Sequence, residues 1–307
     1  MKLNALPLRR LQARQWQMEM RIGSPEQVAE SWPQEHSARR VTMAVSFPVS
    51  YEQLPQELTW PGVFFPPPPM GRKRPMKHIG IVAVSSEGAA LCYRTICLEG
   101  AALLGPHEHP EITLHGFSLG SYQRLIDDDD WEAVGEMMLE SAAKLVRSGA
   151  QLLICPDNTV HQGLDLVRDR SPATWIHIAE EVSSEARQRG FKRLATLGTR
   201  FLMEGPVYRS KLAPAGIDHR IPNAEQRERI NQIIYDELIR ARFLPESRAY
   251  FQSVIRDLAS SGCDAVALAC TEIPLLISPA DSPLPILDST RILARAALRQ
   301  ATESETF

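Results

Sequence analysis

The chain has 307 residues, 44% of them apolar and 23% charged, with a formal net charge of −3. These proportions are ordinary for a soluble globular protein long enough for two domains, and the small negative charge gives no electrostatic attraction to nucleic acid or an anionic membrane. No apolar run approaches the length of a membrane span, and five scattered cysteines without a Cys-x-x-Cys pair argue against a disulfide framework or a zinc module and suit a reducing cytoplasm.

Residues 1–75 are rich in arginine and proline and hold no sustained hydrophobic period. Pro66-Pro67-Pro68-Pro69 is a short polyproline II stretch, followed by the basic run Gly71-Arg72-Lys73-Arg74. The reading is a disordered leader rather than a Pro-rich ligand or a secretory signal. Met76-Lys77, directly before the first core strand, reads like a natural start.

From Met76 onward, apolar runs alternate with helical periods. Strands are expected at 79–84 and 111–117. A helix follows the Ser85-Ser86-Glu87-Gly88 turn and runs to Leu104. The acidic run 127–130 caps a helix over 131–147, where negative charge suits the helix dipole; a metal site there would need ligands from elsewhere. Gly149 ends that helix. The strand over 152–155 closes in Pro156-Asp157-Asn158-Thr159. A strand at 173–178 and a helix to Arg189 follow. The second half opens with a strand at 194–197 and the loop Gly198-Thr199-Arg200. Helices are expected at 203–212, 223–239 and 245–259, then the strand before Cys270, a last strand at 284–287, and a helix over 291–301 capped by Asp288-Ser289-Thr290. Alternating strands and helices imply parallel sheets.

Two stretches repeat. Gly149-Ala150-Gln151-Leu152-Leu153-Ile154-Cys155-Pro156-Asp157 matches Gly262-Cys263-Asp264-Ala265-Val266-Ala267-Leu268-Ala269-Cys270. The strand openings at His78 and Arg193 also correspond. Cys270 lies 113 residues after Asp157, and Arg193 115 after His78. A duplicated βα half accounts for both offsets. It predicts two pseudo-symmetric α/β domains with parallel sheets facing across a cleft, the first over 76–178 plus 284–307 and the second over 179–283. Ligands in open α/β sheets bind beyond the carboxyl ends of the strands, so Asp157 and Cys270 are expected on opposite walls of that cleft. His161 either orients the Asp157 loop or packs at a helix start, and His177 resembles it. His107, Glu108 and His109 have metal-like spacing but read as an exposed loop.

Several motifs resemble the aspartate/glutamate racemase family: Gly198-Thr199-Arg200-Phe201-Leu202-Met203-Glu204, Ile230-Asn231-Gln232-Ile233-Ile234-Tyr235-Asp236-Glu237-Leu238, Ser247-Arg248-Ala249-Tyr250, Cys270-Thr271-Glu272-Ile273 and Asn158-Thr159-Val160-His161. The resemblance covers about residues 76–301, and the nearest branch is that of bacterial amino-acid racemases. It implies a cytoplasmic, homodimeric isomerase that acts on a small amino acid without metal or pyridoxal phosphate. In that family one thiol removes the α-proton from one face and a second thiol returns it on the other. Such chemistry needs two opposed groups, one ionised and one protonated, poised near neutrality.

This chain departs from the pattern at three places. Asp157 stands where the first catalytic Cys is usual, the first-strand loop is one residue shorter, and Ser118 replaces a common aspartate. Asp157 is read first as a base with a raised pKa, next as an ammonium-binding residue beside a single acid/base thiol, and last as a relic. On the first reading the expected catalytic pair is Asp157 and Cys270, with Ser85, Ser86, Asn158, Thr159, Thr199, Thr271 and Glu272 expected to bind substrate. A carboxylate on the wall also disfavours an acidic substrate and favours a neutral or basic amino acid, unless Arg200 or Arg240 faces the cleft. The alternatives are a one-thiol isomerase, decarboxylase or lyase, and a degenerate amino-acid-binding protein.

Overall fold

The computed structural model describes residues 76–303; the expected leader lies outside them. Each apolar run becomes a short parallel strand. In the first sheet β1 (Ile79–Ala83) is buried along its whole length. It pairs with β2 (Ile112–Gly116) on one side and β3 (Leu152–Ile154) on the other, and β4 (Thr174–Ile176) lies beyond β3. In the second sheet β5 (Arg193–Leu197) is flanked by β6 (Asp218–Arg220) and β7 (Ala265–Leu268), with β8 (Ile286–Asp288) beyond β7. The strand orders are β2-β1-β3-β4 and β6-β5-β7-β8. Adding four to each strand of the first order gives the second, so the duplication read from the two repeats extends to all eight strands.

The helices that enter β3 and β7 stop in the same way. Gly149 and Gly262 adopt φ of 101° and 89°, left-handed conformations that glycine takes without a Cβ penalty. Apolar clusters then cover both faces of each sheet. Val82, Leu153 and the Trp131–Arg147 helix pack on one side of the first, and Ile81, Ile154 and the final helix on the other.

Three features differ from expectation. The strand placed with the first domain joins the second sheet, because Ile286 pairs with Val266. Only the helix after it, Ser289–Thr302, returns to the first sheet, where Leu293, Ala294 and Ala297 pack against Ile79, Ile81 and Ile96. The chain thus crosses between the halves at Asp288-Ser289. The edge strand β6 and the Leu119–Asp127 helix were also not foreseen. The pattern of β6 is exposed, intermediate, exposed, so it carries no apolar run to read.

The helix Trp131–Arg147 crosses His161–Val167 at a glycine pair: a Cβ on Gly163 would sit 2.6 Å from the Trp131 carbonyl oxygen and 2.8 Å from the Gly135 nitrogen. Backbone cannot yield as a flexible side chain can. Gly163→Ala is therefore expected to destabilise the protein by about 1–3 kcal/mol through overpacking, read as a lower melting temperature; an unchanged melt would contradict this crossing.

No helix among the described residues is long and apolar enough to cross a membrane.

Candidate active site

The carboxyl ends of the four central strands converge on one pocket. Ser85 follows β1, Asp157 and Thr159 follow β3, Thr199 follows β5, and Cys270 to Glu272 follow β7; all of these line it. Two hydroxyl contacts tie the loops across the sheets. Thr159 Oγ1 lies 2.9 Å from Thr199 Oγ1, and Ser85 Oγ lies 3.4 Å from Thr271 Oγ1. One joins the β3 and β5 loops and the other the β7 and β1 loops, so the duplication exchanges them. Ser86 is exposed and lines only a neighbouring cavity.

Asp157 and Cys270 enter this pocket from corresponding strand ends in different sheets. Asp157 Oδ1 accepts a hydrogen bond from the Val160 amide at 3.2 Å. Burial, and after it the nearby Glu272 carboxylate, raise the Asp157 carboxyl to about 6, against the stabilising amides of Val160 and Thr159. Cys270 is 7% exposed. Its thiol donates to Glu272 Oε2 at 3.1 Å, and Thr271 Oγ1 donates to the same oxygen at 3.0 Å. Burial first, and Glu272 next, push the thiol well above its ordinary value. Near neutrality the carboxyl is thus ionised and the thiol protonated. Glu272 is almost wholly buried, yet its other oxygen, Oε1, has no hydrogen-bond partner among the described residues. A buried acceptor left in that state is costly unless something else donates to it.

The supporting residues were only partly legible. His161 orients the Asp157 loop: it is fully buried, its Nδ1–H donates to the Asp157 carbonyl at 2.7 Å, and its Nε2 accepts from the Ile178 amide at 3.4 Å. Burial and His177 hold it well below the usual histidine range, so it is neutral. Asn158 lines the pocket, but its side chain is engaged from behind. Tyr208 Oη donates to its Oδ1 at 2.8 Å, and its Nδ2 donates to Ser289 Oγ at 3.0 Å. Ser289 in turn donates to the Leu268 carbonyl at 2.8 Å, so the crossover between halves braces the β3 loop against β7. Neither Tyr208 nor Ser289 was expected here, since their partners are 50 and 131 residues away. Tyr235 and Gln123 also line the pocket; Tyr235 lies within one of the family-like motifs, while Gln123 carried no signal. Cys155 is fully buried behind the strand. Arg200 and Arg240 are exposed and line neither this pocket nor its neighbour. No group of three or more His, Cys, Asp or Glu among the described residues could hold a metal ion.

Known proteins resemble this chain in sequence and fold. The model of the Asp/Glu/hydantoin racemase family matches residues 81–297. The broad specificity amino-acid racemase RacX of Bacillus subtilis (strain 168) is 23% identical over 192 residues, 62% of this chain and 82% of that protein. The crystal structure of an Asp/Glu racemase candidate from Yersinia pestis is 30% identical with a TM-score of 0.69, covering 74% of this chain and 100% of that one. An aspartate racemase homologue from Pyrococcus horikoshii OT3 is 26% identical with a TM-score of 0.65, over 74% of this chain and 100% of that one. The family match takes in both sheets and both strand-end loops, and the chain belongs to the Asp/Glu/hydantoin racemase family of isomerases.

Proposed function

We propose that the protein racemises a free amino acid with Asp157 and Cys270 as opposed acid and base. The observation that carries this reading is the meeting of the two residues in one pocket from duplicated strand ends, with opposite resting ionisation. The Asp157 carboxylate takes the α-proton from one face of the bound substrate. The Cys270 thiol delivers its own proton to the other face. The product state holds a protonated Asp157 and a Cys270 thiolate, and the opposite enantiomer is processed from that state in reverse. Both transfers use side chains of the chain itself, so the reaction calls for neither pyridoxal phosphate nor metal.

In this reading the substrate ammonium docks on Glu272 Oε1, satisfying the unpartnered oxygen. It also offsets the charge that, after burial, most opposes thiolate formation. The hydroxyls of Thr159, Thr199 and Ser85 hold the substrate carboxylate and the enolate-like charge that develops on it, while Thr271 donates to Glu272 and fixes its carboxylate. Asn158 acts as a support for the loop.

The working pair carries one proton in total, and its two tautomers serve the two enantiomers. Raising the carboxyl to about 6 means that acidification adds a second proton to the pair through that pH. The expected kcat/KM is therefore level above about pH 7 and falls tenfold per unit below about pH 6, with the same midpoint for both enantiomers. A profile that stays flat to pH 5 would contradict Asp157 as the base.

A further inference from the structure

The reaction pocket is small and has a large apolar neighbour. Its free space is about 40 Å³, and one water needs roughly 10–15 Å³ by the same kind of measure. It takes the α-carbon with its ammonium and carboxylate but no long side chain. Next to it lies a cavity of about 500 Å³. Val84, Ser85, Leu119, Ile239 and Glu272 line both spaces, so the two adjoin, and the larger one is where a substituent too long for the smaller would be lodged. Beyond that shared wall the larger cavity presents Ala89, Ala90, Tyr93, Leu114 and Phe117. Tyr93 and Leu114 are 44% and 47% exposed, leaving apolar surface for a ligand to cover.

The charges point the same way. The described residues lining the two cavities include the carboxylates of Asp157 and Glu272 and no Lys, Arg or His. A substrate side-chain carboxylate would enter beside two like charges with no cation to offset them. A side-chain ammonium would lie among aliphatic and aromatic groups, with Glu272, already engaged by the α-ammonium, as the one carboxylate lining the larger cavity. Either ion loses hydration without a partner, whereas an apolar side chain gains by covering such a wall.

We propose that the site selects amino acids with uncharged apolar side chains of leucine or phenylalanine size, lodged in the cavity between the β1 and β2 ends and Ile239. This rests on the racemase reading for the placement of the α-carbon. The test uses the full chain and two readouts: racemisation by chiral chromatography, and binding by calorimetry. Both enantiomers of leucine, phenylalanine, alanine, aspartate and lysine are compared. One methylene in an apolar pocket is worth roughly tenfold or more, so leucine and phenylalanine should exceed alanine by at least about tenfold in kcat/KM and in affinity, with aspartate and lysine at or below alanine. Ala90→Phe, on the exposed wall of the cavity, should reduce the leucine-to-alanine ratio by at least about tenfold. Preference for aspartate or lysine, absence of leucine binding, or a ratio unchanged in Ala90→Phe would each overturn the proposal. Leucine binding with the expected selectivity but without racemisation would uphold the ligand class and overturn the racemase reading instead.

Discussion

Replacing Asp157 with asparagine is expected to lower racemisation by roughly 10²–10⁴-fold, the usual worth of a positioned general base. Asparagine keeps the side-chain oxygen that accepts from the Val160 amide, so the loop has no reason to move. Stability should hold or rise. A carboxyl raised to about 6 in the folded protein from 3.8 favours folding in its protonated form, and that contribution is lost as pH rises through 6. At pH 7 the ionised Asp157 therefore weakens the fold, beside Glu272, and the neutral amide removes that repulsion. A melt at or above the parent temperature together with lost turnover identifies a chemical defect. Racemisation at the parent rate would leave Asp157 as a binding residue and favour a single-thiol mechanism.

Gly88→Ala should be nearly as damaging for a steric reason. Gly88 sits in the first turn of the Ser86–Leu104 helix, where its amide donates to Ser85 Oγ at 3.2 Å. A Cβ there would stand 2.4 Å from Thr271 Oγ1, 2.7 Å from Thr271 Cβ and 2.8 Å from the Pro156 carbonyl oxygen. Pro156 precedes Asp157, and Thr271 follows Cys270. One added methyl group therefore wedges against the Asp157 and Cys270 loops at once, and one of its contacts is backbone. Displacing reacting groups by about 1 Å can cost on the order of 10²-fold in rate, with about 1–3 kcal/mol of stability lost to overpacking. Chiral assay and thermal melting of the variant check both. A Gly88→Ala protein with parent kcat would show that the loops have more freedom than this packing allows.

The repeat around Asp157 and Cys270 made the architecture legible, because buried parallel strands must be apolar and must end in turn residues. The paired lead-ins from Gly149 and Gly262 carry that physics in both halves. That Asp157 and Cys270 line one pocket was legible for the same reason: a polar residue at a strand end faces the cleft. Ser289 shows where sequence reading stopped. It was read as part of a helix cap, and it also donates to the Leu268 carbonyl and accepts from Asn158, a partner 131 residues away that no local pattern encodes. Tyr208 is similar, since a fully buried tyrosine whose hydroxyl serves a distant asparagine looks like any core aromatic. The strand at Ile286–Asp288 was placed in the wrong half because the chain crosses between sheets within two residues, at Asp288-Ser289. That no Lys, Arg or His among the described residues lines the pocket also needed coordinates, since Arg200 follows the Gly198-Thr199 loop directly and is still exposed.

The most direct test of the two-sided mechanism is α-deuterium incorporation in heavy water, measured on each enantiomer separately and read by mass spectrometry of the recovered amino acid. The parent should label both enantiomers. Asp157→Asn retains the thiol and should label only the enantiomer whose α-proton faces Cys270. Cys270→Ser, whose hydroxyl is a far weaker acid, should label only the other. Complementary loss is the signature of two groups on opposite faces. If both variants lose labelling of the same enantiomer, or if either still labels both, Asp157 and Cys270 do not flank the α-carbon and the account is wrong.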